Sequence, residues 1–98
     1  MAYNGWTNYQ TFRIAVEIDS NEIWQRTWNG RAAELYQENN YDLIETRYIL
    51  AQELKDFFYE ESPFTYQFEK LSDVYKEILY AAIEDVNWLE LAESLIND

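Results

Sequence analysis

This chain has almost no residues with which to turn sharply. Across 98 residues it holds two glycines, Gly5 and Gly30, and one proline, Pro63. Hairpins and multi-stranded sheets need glycine, asparagine-glycine or proline turns every few residues, so the scarcity points to an all-α fold. One helical domain over 1–98 is expected, since the length suits a single small domain and 48% hydrophobic residues supply a core.

The longest helical signal is Asp42–Glu61, DLIETRYILAQELKDFFYEE. At about 100° per residue, Leu43, Ile44, Tyr48, Leu50, Ala51, Leu54, Phe57 and Phe58 share one broad arc, expected to be buried. Asp42, Glu45, Glu53, Asp56 and Glu60 lie within about 80° of one another on the opposite side. Ile49 falls inside that acidic arc beside Gln52.

The other elements follow from capping chemistry. Thr7 with Gln10 in T-N-Y-Q fits a capping box and predicts a first helix from Thr7 to about Ile18, preceded by an aromatic entry loop through Tyr3 and Trp6. Asp19, Ser20 and Asn21 break it and cap a short helix over Glu22–Trp28. Asn29 and Gly30 then predict an interruption before a further helix, Arg31–Glu38. Asp42 is placed to cap the long helix, and Pro63 ends it. Phe64, Tyr66 and Phe68 alternate with Thr65 and Gln67 as in a strand, but a lone strand has no partner, so an irregular or helical connector is expected. Ser72 caps a helix over Asp73–Asp85, with Val74, Tyr75, Ile78, Leu79 and Ala82 inward and Asp73, Glu77, Tyr80 and Glu84 outward. Asn87 with Glu90, and Val86 with Leu91, carry the capping-box and hydrophobic-staple spacings of a last helix, Trp88–Ile96. Its inward residues are Leu91, Ala92, Leu95 and Ile96.

Composition removes several function classes. Without cysteine or histidine there is neither a disulfide framework nor the usual ligand set for zinc or iron–sulfur, and no cofactor is expected. Glycine-rich phosphate loops and nucleophile elbows are missing. Carboxylate pairs such as Glu60–Glu61 and Glu84–Asp85 could serve as acid and base or hold magnesium, but neighbours on a helix diverge, so a non-enzyme is expected. No apolar run nears the ~20 residues of a membrane span. The opening MAYNGWTNYQ lacks the basic and apolar regions of a signal peptide. A cytoplasmic protein is expected.

The formal charge is −12. Residues 1–41 hold five acids and three bases, net −2, whereas 42–98 hold fourteen acids and four bases, net −10. Nucleic acid and anionic membranes should repel such a chain, and a basic protein surface should attract it. The acidic faces have two readings. One is a solvated exterior that serves solubility. In the other, carboxylates recurring every 5–6 Å along a helix imitate a phosphate track and occupy a channel built for nucleic acid. The candidate contacts in that reading are Asp42, Glu45, Ile49, Glu53, Asp56 and Glu60, then Asp73, Glu77 and Glu84. The tryptophans Trp6, Trp24, Trp28 and Trp88 are read first as core and second as a partner interface.

Two motifs, W-T-N-Y-Q-T-F (Trp6, Asn8, Tyr9, Thr11, Phe12) and V-N-W-L-E-L-A (Val86, Asn87, Trp88, Glu90, Ala92), resemble a family of small acidic proteins carried by phages, plasmids and other mobile elements. Its members often have tryptophan where this chain has Phe12. The motifs cover under a fifth of the chain, and both fall at helix starts, which gives them a structural role. The resemblance implies a bacterial host cytoplasm and an inhibitor of host defence, as anti-CRISPR and antirestriction proteins are, several of which look like DNA mimics. The implied partner is a basic nucleic-acid-binding protein such as a CRISPR effector or restriction enzyme. The alternative is a small non-catalytic adaptor that binds a partner through its aromatic N-terminal region.

Overall fold

The computed structural model describes residues 4–60 and 73–97, which form five helices and no strand. These are α1 Tyr9–Ser20, α2 Glu22–Glu38, α3 Leu43–Glu60, α4 Asp73–Asp85 and α5 Trp88–Asn97. The all-α architecture is as the turn-poor sequence predicts. The expectations for Tyr3, the connector through Phe64–Phe68 and the Ser72 cap lie outside the described residues. So do the side chains of Glu60, Asp73 and Tyr75.

α3 is the element on which the others assemble. It lies against α2, α4 and α5, while α1 packs on α2, α4 and α5. Its Leu50, Ala51 and Leu54 join Ile18 of α1, Trp28, Ala32 and Leu35 of α2, and Leu91, Ala92 and Leu95 of α5 in one core cluster. Five rings close one end of it. Phe57 meets Trp24 and Trp28 edge-on at 5.6 and 5.5 Å, and Phe58 lies 5.5 Å from Trp24 and 5.6 Å from Trp88. Trp28 and Trp88 are buried, whereas Trp6 and Trp24 are half-buried.

Asn21, Asp42 and Asn87 act as the N-caps expected of them, accepting from the N–H groups of Trp24, Glu45 and Glu90 at 3.0, 3.1 and 3.1 Å. The first helix differs. Its cap is Asn8, in extended backbone, whose Oδ1 accepts from the Thr11 N–H at 2.9 Å. Thr7 is displaced from that role because its hydroxyl accepts instead from Asn87 Nδ2 at 3.1 Å.

A second correction concerns Asn29 and Gly30, which lie inside a single continuous α2. Glycine in a helix interior costs about 1 kcal/mol relative to alanine. Continuity puts Trp28, Ala32 and Leu35 on one stripe, 8%, 1% and 3% exposed, and burying side chains of this kind outweighs that cost. α2 ends in a Schellman turn, with the Asn40 N–H donating to the Gln37 carbonyl at 3.2 Å and the Tyr41 N–H to that of Tyr36 at 2.8 Å. Asn40 and Tyr41 both take positive φ, 56° and 63°.

Third, part of the apolar arc of α3 is outside. Ile44 is 63% and Tyr48 57% exposed. The buried face is narrower than the apolar arc and centres on Thr46, Leu50, Ala51 and Leu54, leaving Ile44 and Tyr48 outside it. Val74, Ile78 and Leu79 of α4 are likewise exposed rather than inward, because this helix leans on the core through its last turn, by Ile83 and the following Val86, while Ala82 is half-buried.

Candidate functional site

The two sequence motifs meet. The Thr7 N–H donates to Glu90 Oε1 at 3.0 Å, Asn8 Nδ2 to the Asp85 carbonyl at 2.6 Å, and the Asn87 N–H to the Thr11 hydroxyl at 2.8 Å. Thr11 is fully buried, and its hydroxyl donates in turn to Asn8 Oδ1 at 2.6 Å. The reciprocal half of the Asn87–Glu90 capping box is therefore not made. Each group that would have closed it serves the other motif, and both stretches act as a clasp between the start of α1 and the start of α5.

The carboxylates of α3 divide into two kinds. Asp42, Glu45 and Asp56 are exposed and have no cationic partner among the described residues. Asp42 is engaged by the Glu45 N–H, and Asp56 accepts from Gln52 Nε2 at 2.9 Å. Glu53 is held differently. Arg31 of α2 donates to both its oxygens at 2.8 Å and also reaches Glu34. The bidentate bond to Glu53 is the main cause that raises the Arg31 pKa still further above its ordinary value, against a partial opposing effect of burial. Ile49, expected as a contact, is half-buried and packs on the core. The side chain of Glu60 lies outside the described residues.

On α4, Glu77 is exposed, and the side chain of Asp73 again lies outside the described residues. Glu84 accepts from Lys55 Nζ at 2.9 Å and from the Tyr59 hydroxyl at 2.8 Å. Lys55 first, and Tyr59 second, hold this carboxyl below its ordinary value. Burial, with the bond to Glu84, pushes the Tyr59 phenol up to about 12. Its ring stacks on Tyr80 at 5.3 Å.

The bases share a pattern that the sequence reading missed. Arg31 joins α2 to α3, Arg47 joins α3 to α5 through Glu93 at 3.2 Å, and Lys55 joins α3 to α4. Arg13 pairs with Glu17 within α1. Three of these cations are spent tying α3 to its neighbours, so among the described residues the outward face between them is left to acids without an ion pair. The signal was present, since Arg47 and Lys55 fall on the apolar side of α3 rather than among its carboxylates.

A separate apolar groove of about 450 Å³ runs between α1, α2, α3 and α4, with Ile14, Trp24, Phe57, Phe58 and Leu79 in its walls. Among the described residues no cluster of three or more acidic side chains is arranged to hold a metal ion, and no helix is long and apolar enough to cross a membrane. Comparisons with protein-family models, curated proteins and solved structures find no match to this chain.

Proposed function

We propose that this protein is a stoichiometric inhibitor of a bacterial nucleic-acid-targeting defence complex, of the anti-CRISPR or antirestriction kind, and covers the basic surface where that complex binds nucleic acid. The observation that supports this reading is the segregation of charge. Among the described residues, Asp42, Glu45, Asp56 and Glu77 stand exposed without cationic partners, while Arg31, Arg47 and Lys55 are consumed in ties between helices. An arginine- and lysine-lined channel exchanges counterions for such a face much as it does for phosphates. Occupation is competitive and needs no chemistry, in keeping with a non-enzyme acting in the cytoplasm of the host.

The test is capture from host lysate at low and high salt, with Glu45→Lys, Asp56→Lys and Glu77→Lys combined as the control. Glu53 is left alone because reversing it would strand Arg31. Salt-sensitive capture of a nuclease or CRISPR effector by the wild type only, with inhibition of its nucleic-acid binding, is expected. Equal capture by both forms would overturn the acidic mechanism.

The apolar groove beside Trp24 favours the second reading, an adaptor that binds a partner through its aromatic N-terminal region. In that case Trp24→Ala abolishes capture and the charge reversals are tolerated.

A further inference from the structure

Four of the exposed large apolar side chains fall within eight positions at the start of α3. Tyr41 is 61%, Leu43 40%, Ile44 63% and Tyr48 57% exposed. Ile44 and Tyr48 stand at i, i+4 and form one ridge on the helix surface, and Tyr41, the residue before the N-cap Asp42, is exposed at the start of the same helix. Single exposed apolar residues are ordinary, but a clustered set marks an interaction surface.

The two tyrosines are held in place rather than loose. The Tyr41 ring meets Tyr36 edge-on at 5.2 Å, and its backbone sits at a φ of 63°, a left-handed conformation costly for an aromatic residue. Over the Tyr48 ring lies the Arg47 guanidinium, 5.7 Å from its centroid, and that guanidinium is itself fixed by Glu93. Rings already ordered in the free protein lose little entropy on binding. Glu38, Asp42 and Glu45 flank these residues in the sequence, all exposed and with no ion pair among the described residues.

From this we infer that the ridge Tyr41–Ile44–Tyr48 is the apolar anchor of a docking surface for a basic amphipathic helix of a partner protein. The ridge supplies helix-on-helix packing at i, i+4 spacing, and the acidic rim selects lysine and arginine flanking the partner's apolar stripe. A second copy of this chain is disfavoured as the occupant, because it would bring a like-charged rim and a net −12. The inference rests on the acidic-face reading above for the sign of the partner's charge, and adds the short-range contact that counterion release alone does not provide.

The test is an NMR titration of the full chain with a synthetic leucine–lysine peptide patterned as an amphipathic helix, against a scrambled peptide of the same composition. Saturable shifts centred on Tyr41, Ile44 and Tyr48 with the patterned peptide alone are expected. Ile44→Ala with Tyr48→Ala should weaken binding roughly tenfold or more with an unchanged salt slope, the circular dichroism of the variant confirming its fold. Equal binding of the scrambled peptide would overturn the anchor while leaving the acidic reading standing. Shifts elsewhere on the surface would overturn it too, as would self-association in sedimentation that the double variant abolishes. Failure of the defence-inhibitor reading would appear in the lysate capture instead, with peptide binding intact.

Discussion

The backbone N–H of Asn87 reaches across 76 positions of sequence to the hydroxyl of Thr11, 2.8 Å away. That hydroxyl has no exposure to solvent and also donates to the cap of α1. Thr11→Val keeps the shape and removes both bonds, leaving the Asn87 N–H and the Asn8 side chain under-satisfied. Stability should fall by about 2 kcal/mol, read as a lowered urea midpoint at constant m-value. Thr11→Ser retains the hydroxyl and loses one buried methyl, for about 1 kcal/mol.

Gly30→Ala should do the opposite. Gly30 is helical and exposed, and a methyl group placed there meets nothing within 4 Å. Alanine restricts the unfolded chain and favours the helix, so thermal unfolding should show a gain of about 0.5–1 kcal/mol. A loss would mean that the added methyl group is not accommodated at Gly30 in the folded chain.

For Arg31 and Glu53 the useful experiment is a double-mutant cycle with Arg31→Met and Glu53→Gln. The pair is bidentate and its side chains are 32% and 33% exposed, so a coupling of about 1 kcal/mol is expected, declining with salt. No coupling would show that the tie between α2 and α3 is apolar alone.

Tyr59 and Glu84 give a dependence on pH at both ends of the scale. The raised Tyr59 pKa, about 12 against an ordinary 10.0, means that the folded state holds this proton more tightly than the unfolded chain. Its contribution is complete below pH 10.0 and is lost as pH rises towards about 12. Glu84 is depressed, so its contribution is present above the ordinary carboxylate value and is lost as pH falls through the folded one. Ultraviolet titration of the wild type minus Tyr59→Phe isolates the phenol. In Glu84→Gln its midpoint should fall towards 10.0, and an unmoved midpoint would mean that burial alone raises it.

Much of the fold was legible in the sequence because helix starts are local chemistry. Asn21, Asp42 and Asn87 cap through groups three residues away, and Leu91, Ala92 and Leu95 declare their face by spacing. The failures share the opposite property. Whether α2 continues past Gly30 depends on what Trp28, Ala32 and Leu35 find opposite them. The exposure of Ile44 and Tyr48 depends on which stripe of α3 its neighbours cover, and Asn8 rather than Thr7 caps α1 because Asn87 claims the Thr7 hydroxyl. In the candidate site, the acidic side of α3 was evident from periodicity, whereas the engagement of Glu53 was not, since no local rule places Arg31 beside it.

The clasp between residues 7–11 and 85–90 also sets an order of events during folding. The Thr11 hydroxyl finds the Asn87 N–H 76 positions further along the chain, and closing a loop of this length carries an entropic cost on the order of 4 kcal/mol. Contacts between neighbours in sequence carry no such cost, so the helices and their local caps form ahead of the clasp, and a chain still being made cannot lock the start of α1 in place until Asn87 has emerged.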